Sequence, residues 1–572
     1  MYSSNASTAR PYEWFVSAAI VGTAITLIVR TIWLMDRGFD FTDESFYLAW
    51  AQQPRAFDIA YGLFGYGLHP LFDMLNGSIA GLRRAAALIL VFLGIIASLI
   101  AVGSAKMSLW GPTSLQLIAV SAALPFAYYV FWLVTPSYNW FALASGLVMI
   151  GATLDVYHPR HSWRSATTAA LASVLLIFTR PQNAIAYFGI YLLAVGIVVP
   201  TLRGKWLQML RTAGLAAAVI LAVAAVAPLR TIAKQLQAYY TIFGTGNPTD
   251  AGLVGRQFDF FRHEGVWIAF SFVLFVGSMV TLRDKRASGK LRNGLVTTGA
   301  IIAATATVVQ FRAGGFVYDI GPAAGVFAFV CLSLACLRKD ADFGLIALLG
   351  LSALVPFAAT FGTSNRIFSQ LAFFTGLWGF VGLVALSSAS GAKTFGATVA
   401  ASICLVMTFL AVQVGLSVPY RLASPIDKQL NPTTLGWGAE LKLDARTRDF
   451  IATLHNSAKQ EGFCQGNAAI DLSGSLPGAV FAIGGRMPVF PWIFAGYSFS
   501  DPFAREVFKR IDGSLLAQSW LITSETPGSF SMSELQSFGI DFSAYRLVAD
   551  VRHPLDGTSV KLFAPRAIQN RC

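Results

Sequence analysis

Charged residues are scarce in this chain, and their scarcity excludes most soluble folds. Only 12% of the 572 residues are Asp, Glu, Lys or Arg, whereas 55% are hydrophobic. Soluble domains carry about 25% charged residues, so this chain has too little polar surface to stay in water alone. The five cysteines form no CxxC pair, which removes the usual sequence signature of a zinc site. A polytopic membrane protein is the class that remains.

The hydrophobic residues cluster in runs of about 17–25, the length that a helix needs to cross a bilayer. Such runs must be helical, because lipid offers no partners for backbone N–H and C=O groups. The sequence therefore predicts a mostly α fold with about 13 transmembrane helices, at 14–34, 86–104, 115–134, 139–156, 165–179, 184–200, 213–229, 264–282, 294–310, 320–337, 343–360, 370–388 and 395–416.

The distribution of basic residues predicts the orientation. Lys and Arg are roughly two- to threefold denser in the loops on one side, and such loops prefer the cytoplasm. We expect a bacterial inner-membrane protein with a cytoplasmic N-terminus and a transmembrane module over 1–416, with long periplasmic loops at about 35–85 and 230–263. The preference of Lys and Arg for cytoplasmic loops explains most of the net charge of +13. We therefore expect no nucleic-acid partner.

The last part of the chain, 417–572, differs in composition and is predicted to be a soluble periplasmic α/β domain. Residues 444–451 have the pattern of an amphipathic helix, and 473–478 are rich in Gly and Pro, which is typical of turns. Cys464 and Cys572 are the two cysteines in this part. Because the periplasm is oxidising, they are predicted to pair.

An acidic segment comes directly after the first predicted span. It runs from Asp36 to Leu48 and contains Asp40, Asp43 and Glu44 among aromatic residues. This mixture favours a segment packed at the membrane interface, where desolvation raises the pKa of a carboxylate towards that of a useful base. The alternative is a solvated segment that merely flanks the membrane.

Asp43-Glu44-x-x-Tyr47 resembles the acidic motif in the first periplasmic loop of GT-C glycosyltransferases, in the branch of the protein mannosyltransferases and aminoarabinose transferases. Thr135-Pro136-Ser137-Tyr138 is similar to the Thr-Pro turn of those enzymes, although the family often has an acid where this chain has Ser137. The resemblance implies transfer of a sugar from a polyprenyl-phosphate donor to a glycan, lipid or protein acceptor at the periplasmic face.

In this interpretation Asp43 is the general base, and Glu44 and Asp40 are its orienters or replacements. The reaction requires no cofactor. No cluster has the spacing of a metal site, although the acidic oxygens are ligands of the kind that hold a divalent cation, which stays an alternative.

The leaving phosphate needs cations, and arginine binds phosphate in bidentate fashion. The candidates for binding the donor phosphate are Arg180, Arg256, Arg262, Arg312 and Arg366. Arg180 stands in an otherwise apolar stretch, where a charge suggests function. The alternative for each is an arginine that snorkels to the interface.

Four residues are candidates for binding the acceptor, namely Tyr47, His69, Tyr138 and Trp492. The alternative for His69 is a structural role, and for Trp492 it is packing in a core.

Two other functions fit the hydrophobic pattern. Many spans and a broken helix pair at Arg180-Pro181 also suit a transporter or flippase of a lipid-linked substrate, although neither an internal repeat nor a polar mid-membrane site is evident. An O-antigen ligase or polymerase is the second alternative. That group places its key residues in a large later loop, whereas the loop at 230–263 is modest.

Overall fold

The computed structural model describes most of the chain, namely residues 10–60, 62–158, 162–177, 179–243, 266–283, 294, 316–338, 341–361, 367–388, 394–488, 490–492, 500–525 and 528–566. The described residues up to Ser417 form helices and the segments that connect them, and the named strands all lie after residue 430. The first half of the chain contains the helices α1 Pro11–Trp33, α2 Asp43–Gln52, α3 Phe64–Met74, α4 Ile79–Ser104, α5 Pro112–Ala123, α6 Tyr138–Asp155, α7 Ser162–Ile177, α8 Pro181–Val198, α9 Leu202–Val226, α10 Leu229–Phe243 and α11 Val266–Arg283. After these come α12 Phe316–Cys336, α13 Phe343–Ser352, α14 Val355–Ala359, α15 Ile367–Ala372, α16 Thr375–Ser388 and α17 Thr394–Ser417.

Seven helices of the described residues are long and apolar enough to cross a membrane, and the predicted count of thirteen is not confirmed. The seven are Pro11–Asp36, Ile79–Ser104, Pro112–Phe131, Pro181–Val198, Leu202–Val226, Tyr318–Cys336 and Phe395–Ser417. Others are shorter than predicted. For example, α16 has 14 residues, which span about 21 Å of a hydrocarbon core about 30 Å thick. The predicted span 294–310 lies outside the described residues except for Gly294.

The first long loop ends earlier than the sequence predicts. The expected end is residue 85, but α4 begins at Ile79, where the Ser78 hydroxyl accepts a hydrogen bond from Gly81 N at 3.0 Å. An N-terminal cap of this kind stabilises a helix start. Arg83 therefore lies inside a helix rather than in a loop. The same loop also contains α2 and α3, and the helix α10 occupies the start of the predicted loop 230–263.

The part of the chain after α17 mixes strands and helices. β1 Asn431–Thr434 and β2 Glu440–Leu443 form an antiparallel pair. A four-stranded sheet has the order β3-β4-β6-β5, in which β3 Ala469–Asp471 and β4 Trp520–Ser524 are parallel and β5 Tyr545–Arg552 and β6 Ser559–Pro565 are antiparallel to their neighbours. The helices are α18 Ala445–Gln460, α19 Pro477–Ala482, α20 Ser500–Lys509, α21 Gly513–Gln518 and α22 Met532–Ser537. The helix α18 confirms the amphipathic pattern at 444–451. The periplasmic location of this part stays a prediction.

The cysteines agree with the prediction as far as the structure describes them. Cys464 takes part in a disulfide bond, whereas Cys331, Cys336 and Cys404 are thiols buried among apolar helices. Cys572 lies outside the described residues, so the pairing of Cys464 with Cys572 stays a prediction.

The strand-containing part packs directly onto the acidic segment. Gly38 N donates to the carbonyl of Lys442 at 3.0 Å, and Gly478 N donates to the carbonyl of Phe41 at 2.9 Å. The Lys442 ammonium lies 2.8 Å from the Asp36 carboxylate. One hydrophobic core includes apolar residues of both parts. The acidic segment is therefore held between the apolar helices and the last quarter of the chain.

Candidate active site

The acidic segment turns sharply before α2, and the Asp40 carboxylate holds this turn together. Its Oδ1 accepts hydrogen bonds from Thr42 N at 3.1 Å and Thr42 Oγ1 at 2.8 Å, and its Oδ2 accepts from Glu44 N at 3.1 Å. The first N–H groups of a helix lack acceptors within the helix, and the Asp40 carboxylate is the acceptor for the backbone N–H of Glu44. Burial raises the pKa of Asp40 from 3.8 to about 7. Both oxygens of Asp40 are thus already engaged in building the turn.

Glu44 belongs to a closed ion-pair network. Its Oε1 lies 2.7 Å from Arg83 Nη2 and 3.0 Å from Arg83 Nε, and Thr135 Oγ1 donates to the same oxygen. Its Oε2 accepts from Asp40 N at 3.1 Å. Arg83 is fully buried and also donates to the carbonyls of Met35 and Gly38, each at 2.9 Å. These bonds engage both carboxylate oxygens of Glu44, and they fix the acidic turn to α4 and to the Thr135 turn.

Asp43 is the open carboxylate of the three. Its side chain is 19% exposed, and its Oδ2 lies 3.4 Å from Arg421 Nη1. Burial raises the pKa of Asp43, whereas the Arg421 cation and hydrogen bonds with Tyr420 and Tyr47 lower it. A carboxylate with a raised pKa and accessible surface is suited to accept a proton.

Arg421 is a site residue that sequence reasoning missed. It lies four residues beyond the end of α17 and has a left-handed backbone, with φ of 54°. This conformation is uncommon for residues other than glycine. Its Nη1 donates to Thr42 Oγ1 at 2.6 Å. The sequence offers one signal, a cation just beyond the last apolar run. A basic residue in that place is more simply explained as an interfacial anchor.

Two tyrosines connect Asp43 to a buried cation. The rings of Tyr47 and Tyr138 meet edge to face with centroids 5.9 Å apart. The Arg180 guanidinium lies over the Tyr138 ring at 4.1 Å. Arg180 is 9% exposed, and its buried Nη1 has no hydrogen-bond partner within the described part of the chain. An unsatisfied buried cation is costly, so this position favours an anionic ligand.

The Thr-Pro turn lies at the same site, as the resemblance implies. Thr135 bonds to Glu44. Ser137 Oγ accepts from Asn139 N at 3.2 Å and lies 3.1 Å from the Tyr128 hydroxyl. Ser137 therefore caps α6, and the turn contributes no second carboxylate.

His69 and Trp492 lie elsewhere. His69 Nδ1 lies 2.8 Å from the carbonyl of Ala51, near the far end of α2, and Nε2 lies 3.4 Å from Asp73. Trp492 is buried and packs against Phe46 with ring centroids 5.9 Å apart, so the alternative of core packing fits its position. The candidate cations Arg256, Arg262, Arg312 and Arg366 lie outside the described residues.

No group of three His, Cys, Asp or Glu side chains that could hold a metal ion occurs among the residues with described positions. The hydrogen bonds already made by Asp40 and Glu44 use the oxygens that a cation would need. The involvement of a divalent cation stays an untested alternative.

No family model and no curated protein matches the chain. Two solved structures are similar to it, namely ArnT from Cupriavidus metallidurans in the apo state, with a TM-score of 0.41, and the same protein bound to undecaprenyl phosphate, with a TM-score of 0.38. Each is 14% identical and covers 95% of this chain and 97% of the other. ArnT is an aminoarabinose transferase of the GT-C type.

Proposed function

We propose that this chain is a membrane glycosyltransferase that transfers a sugar from a polyprenyl-phosphate donor to a glycan, lipid or protein acceptor at the periplasmic face. One observation carries the proposal. The accessible carboxylate Asp43 and the unsatisfied buried guanidinium of Arg180 are joined by the contacting rings of Tyr47 and Tyr138. A proton acceptor and an anion partner at one site are the two groups that this reaction needs.

Asp43 acts as the general base. An acceptor hydroxyl is a poor nucleophile until its proton is removed as it attacks. Asp43 takes that proton while the acceptor oxygen bonds to the anomeric carbon of the donor sugar. The opposing effects of burial and of Arg421 on the pKa of Asp43 keep the carboxylate available for the proton.

Arg180 stabilises the leaving group. The bond between the anomeric carbon and the phosphate oxygen breaks, and its electron pair stays with the polyprenyl phosphate. The negative charge that develops there is stabilised by a positioned cation in a site that excludes water. The planar guanidinium also fits two phosphate oxygens at once. The ring of Tyr138 holds the guanidinium in place by a cation–π contact.

Release of polyprenyl phosphate tests the proposal. Purified full-length protein is incubated with a panel of undecaprenyl-phosphate sugars and an envelope extract as the source of acceptor. We expect Asp43→Asn to lower the rate by about 100-fold or more, since a general base contributes about that much. Asp58→Asn, at an exposed position in the same loop, is the matched control and should keep the wild-type rate.

Arg180→Ala should weaken donor binding and lower the rate together, because phosphate contacts act in both the ground state and the transition state. Near-normal turnover of Asp43→Asn would place the base elsewhere. If proteoliposomes move the lipid-linked sugar across the bilayer without consuming it, the transporter alternative is correct and the proposal is wrong.

A further inference from the structure

A second polar feature lies at the opposite end of α2 from Asp43. Residues 52–56, His69 and Arg486 line an open groove of about 320 Å³. Arg55 and His69 come from the first loop, and Arg486 comes from the strand-containing part. We refer to this feature as the Arg55–Arg486 groove. It lies where the two parts of the chain meet, as the acidic turn does.

The groove is electropositive. Among the residues whose positions are described, no Asp or Glu lines it, and neither of its two exposed arginines, Arg55 and Arg486, has a carboxylate partner. Asp73 lies 3.4 Å from His69 Nε2 but is outside the lining. Two unpaired guanidinium groups that face one cleft attract an anion, because cleft walls of low dielectric concentrate their field.

Hydrogen bonds fix the backbone that carries each arginine. Gln235 Nε2, from α10, donates to the carbonyls of Pro54 at 2.9 Å and Phe57 at 2.6 Å. These bonds fix the turn that carries Arg55. Arg486 N donates to the carbonyl of Asn467 at 2.8 Å, and the carbonyl of Arg486 accepts from Ala469 N at 2.9 Å. Such preorganisation reduces the entropy lost when a ligand binds.

A second groove also contains two arginines, but acidic residues line it as well. It has a volume of about 660 Å³, and Arg446 and Arg552 line it together with Asp449 and Asp556. The two acids balance the two arginines. The described lining of the Arg55–Arg486 groove has the same number of arginines and no acid, so of these two grooves it is the one suited to an anion.

We propose that the Arg55–Arg486 groove is a second subsite of the enzyme, which binds an oxyanion, a phosphate or a carboxylate, carried by an extended saccharide acceptor. The inference rests on the transferase function proposed above. Gln52, at the groove end of α2, follows Asp43 by nine positions, which is a rise of about 14 Å along the helix axis at 1.5 Å per residue. The acceptor therefore carries its anionic group about one length of α2 away from the hydroxyl that Asp43 activates.

Binding of a charged disaccharide tests the groove without requiring turnover. The probe is trehalose 6-phosphate, with neutral trehalose as its control, titrated calorimetrically into the full-length Arg180→Ala protein. That background removes the proposed donor-phosphate cation, so binding reports on the groove. We expect Arg55→Ala with Arg486→Ala to weaken binding of the phosphorylated sugar at least about tenfold, because hydrogen bonds to charged groups are strong. Binding of trehalose should not change.

The matched control is Arg446→Ala with Arg552→Ala, which removes the same charge from the balanced groove and should leave binding unchanged. The charge-reversing pair Arg55→Glu with Arg486→Glu should abolish binding while the melting temperature stays within error of the background protein. Absence of binding in the Arg180→Ala protein, or an equal loss in the control pair, would overturn the inference.

A lipid headgroup is the other source of an oxyanion. The titration is therefore repeated in nanodiscs of phosphatidylglycerol and of phosphatidylcholine. Equal affinity in the two lipids supports the saccharide subsite, and loss of binding in phosphatidylglycerol alone would show a headgroup site and contradict it. Failure here would leave the effect of Asp43→Asn on turnover intact, so the two proposals fail separately.

Discussion

The acidic turn at Asp40 and the serine-rich turn at Asp471 are built in the same way. Each aspartate is buried and accepts from the backbone and the hydroxyl of the residue two positions ahead, Thr42 in one and Ser473 in the other. Each second oxygen accepts a further N–H, from Glu44 at 3.1 Å or Leu476 at 2.8 Å. Burial raises the pKa of both, to about 7 for Asp40 and about 6 for Asp471.

The two turns differ in the charge of the residues after the aspartate. In the acidic turn, Asp43 and Glu44 add two carboxylates, and Arg421 and Arg83 lie beside them. The serine turn continues with uncharged residues, and no Lys or Arg of the described chain forms an ion pair with Asp471. The shared turn is therefore a scaffold. The added charges distinguish the candidate active site from a structural loop.

Arg83→Met tests the buried ion pair with Glu44, which the acidic turn has and the serine turn lacks. Arg83→Met leaves the Glu44 carboxylate buried without a counter-ion, which costs about 3–5 kcal/mol of the free energy of unfolding. Arg84→Ala is the neighbouring control, because the Arg84 side chain is 41% exposed and lies 3.7 Å from Asp36. It should cost less than about 1 kcal/mol. Denaturant unfolding in detergent measures both, and equal losses would contradict the buried network.

Gly478→Ala tests the contact between the two turns. A Cβ at Gly478 meets Ser45 Oγ at 2.4 Å and Phe41 Cα at 2.6 Å, so one side has to move. We expect a loss of about 1–3 kcal/mol from this overpacking, together with a lower transfer rate because the turn that carries Asp43 shifts. Gly513→Ala, where a Cβ meets nothing within 4 Å, is the control. A Gly478→Ala protein with full stability and rate would show that contact between the turns is dispensable.

Arg421→Ala tests, through the pH dependence of the rate, how the cation of the acidic turn affects the pKa of Asp43. Asp43 accepts a proton only when ionised, so activity falls as the pH drops through the pKa of Asp43. Burial raises this pKa above 3.8 and Arg421 opposes the rise. Loss of the cation should therefore move the acid limb of the rate profile to higher pH. Arg448→Ala, whose nearest acid is Asp449, should leave the limb in place. A shift of the limb to lower pH in Arg421→Ala would exclude the electrostatic role of Arg421.

The acidic motif and its meeting with the Thr135 turn are predictable from the sequence, because both are local patterns with a family resemblance. The choice of Asp43 as the base follows from the family resemblance, and the residue types alone do not rank the three carboxylates. Asp40, Asp43 and Glu44 have similar chemistry as residues, and the hydrogen bonds that occupy two of them become visible only in the folded turn. Two adjacent arginines interrupt the hydrophobic run, so the sequence places Arg83 in a loop, although a serine at position 78 directly before the apolar Ile79 is a signal for a helix start.

Arg180 stands out in the sequence as a candidate functional cation because a charge within an apolar stretch is rarely accidental, and the structure buries it, while its role stays a prediction. Arg421 and Arg486 carry no such local signal. Each reaches its neighbours through contacts between distant parts of the chain, and the pattern around one residue does not encode such contacts.

The contact between Arg421 and Asp43 joins residues that are 378 positions apart. During synthesis, the acidic segment leaves the ribosome long before its cationic partner exists. The contact can therefore form only after α17 and the residues that follow it have been synthesised. A protein truncated after residue 417 would keep every helix of the apolar bundle and still lack Arg421. The proposed base therefore acquires its cationic partner only late in the assembly of the chain.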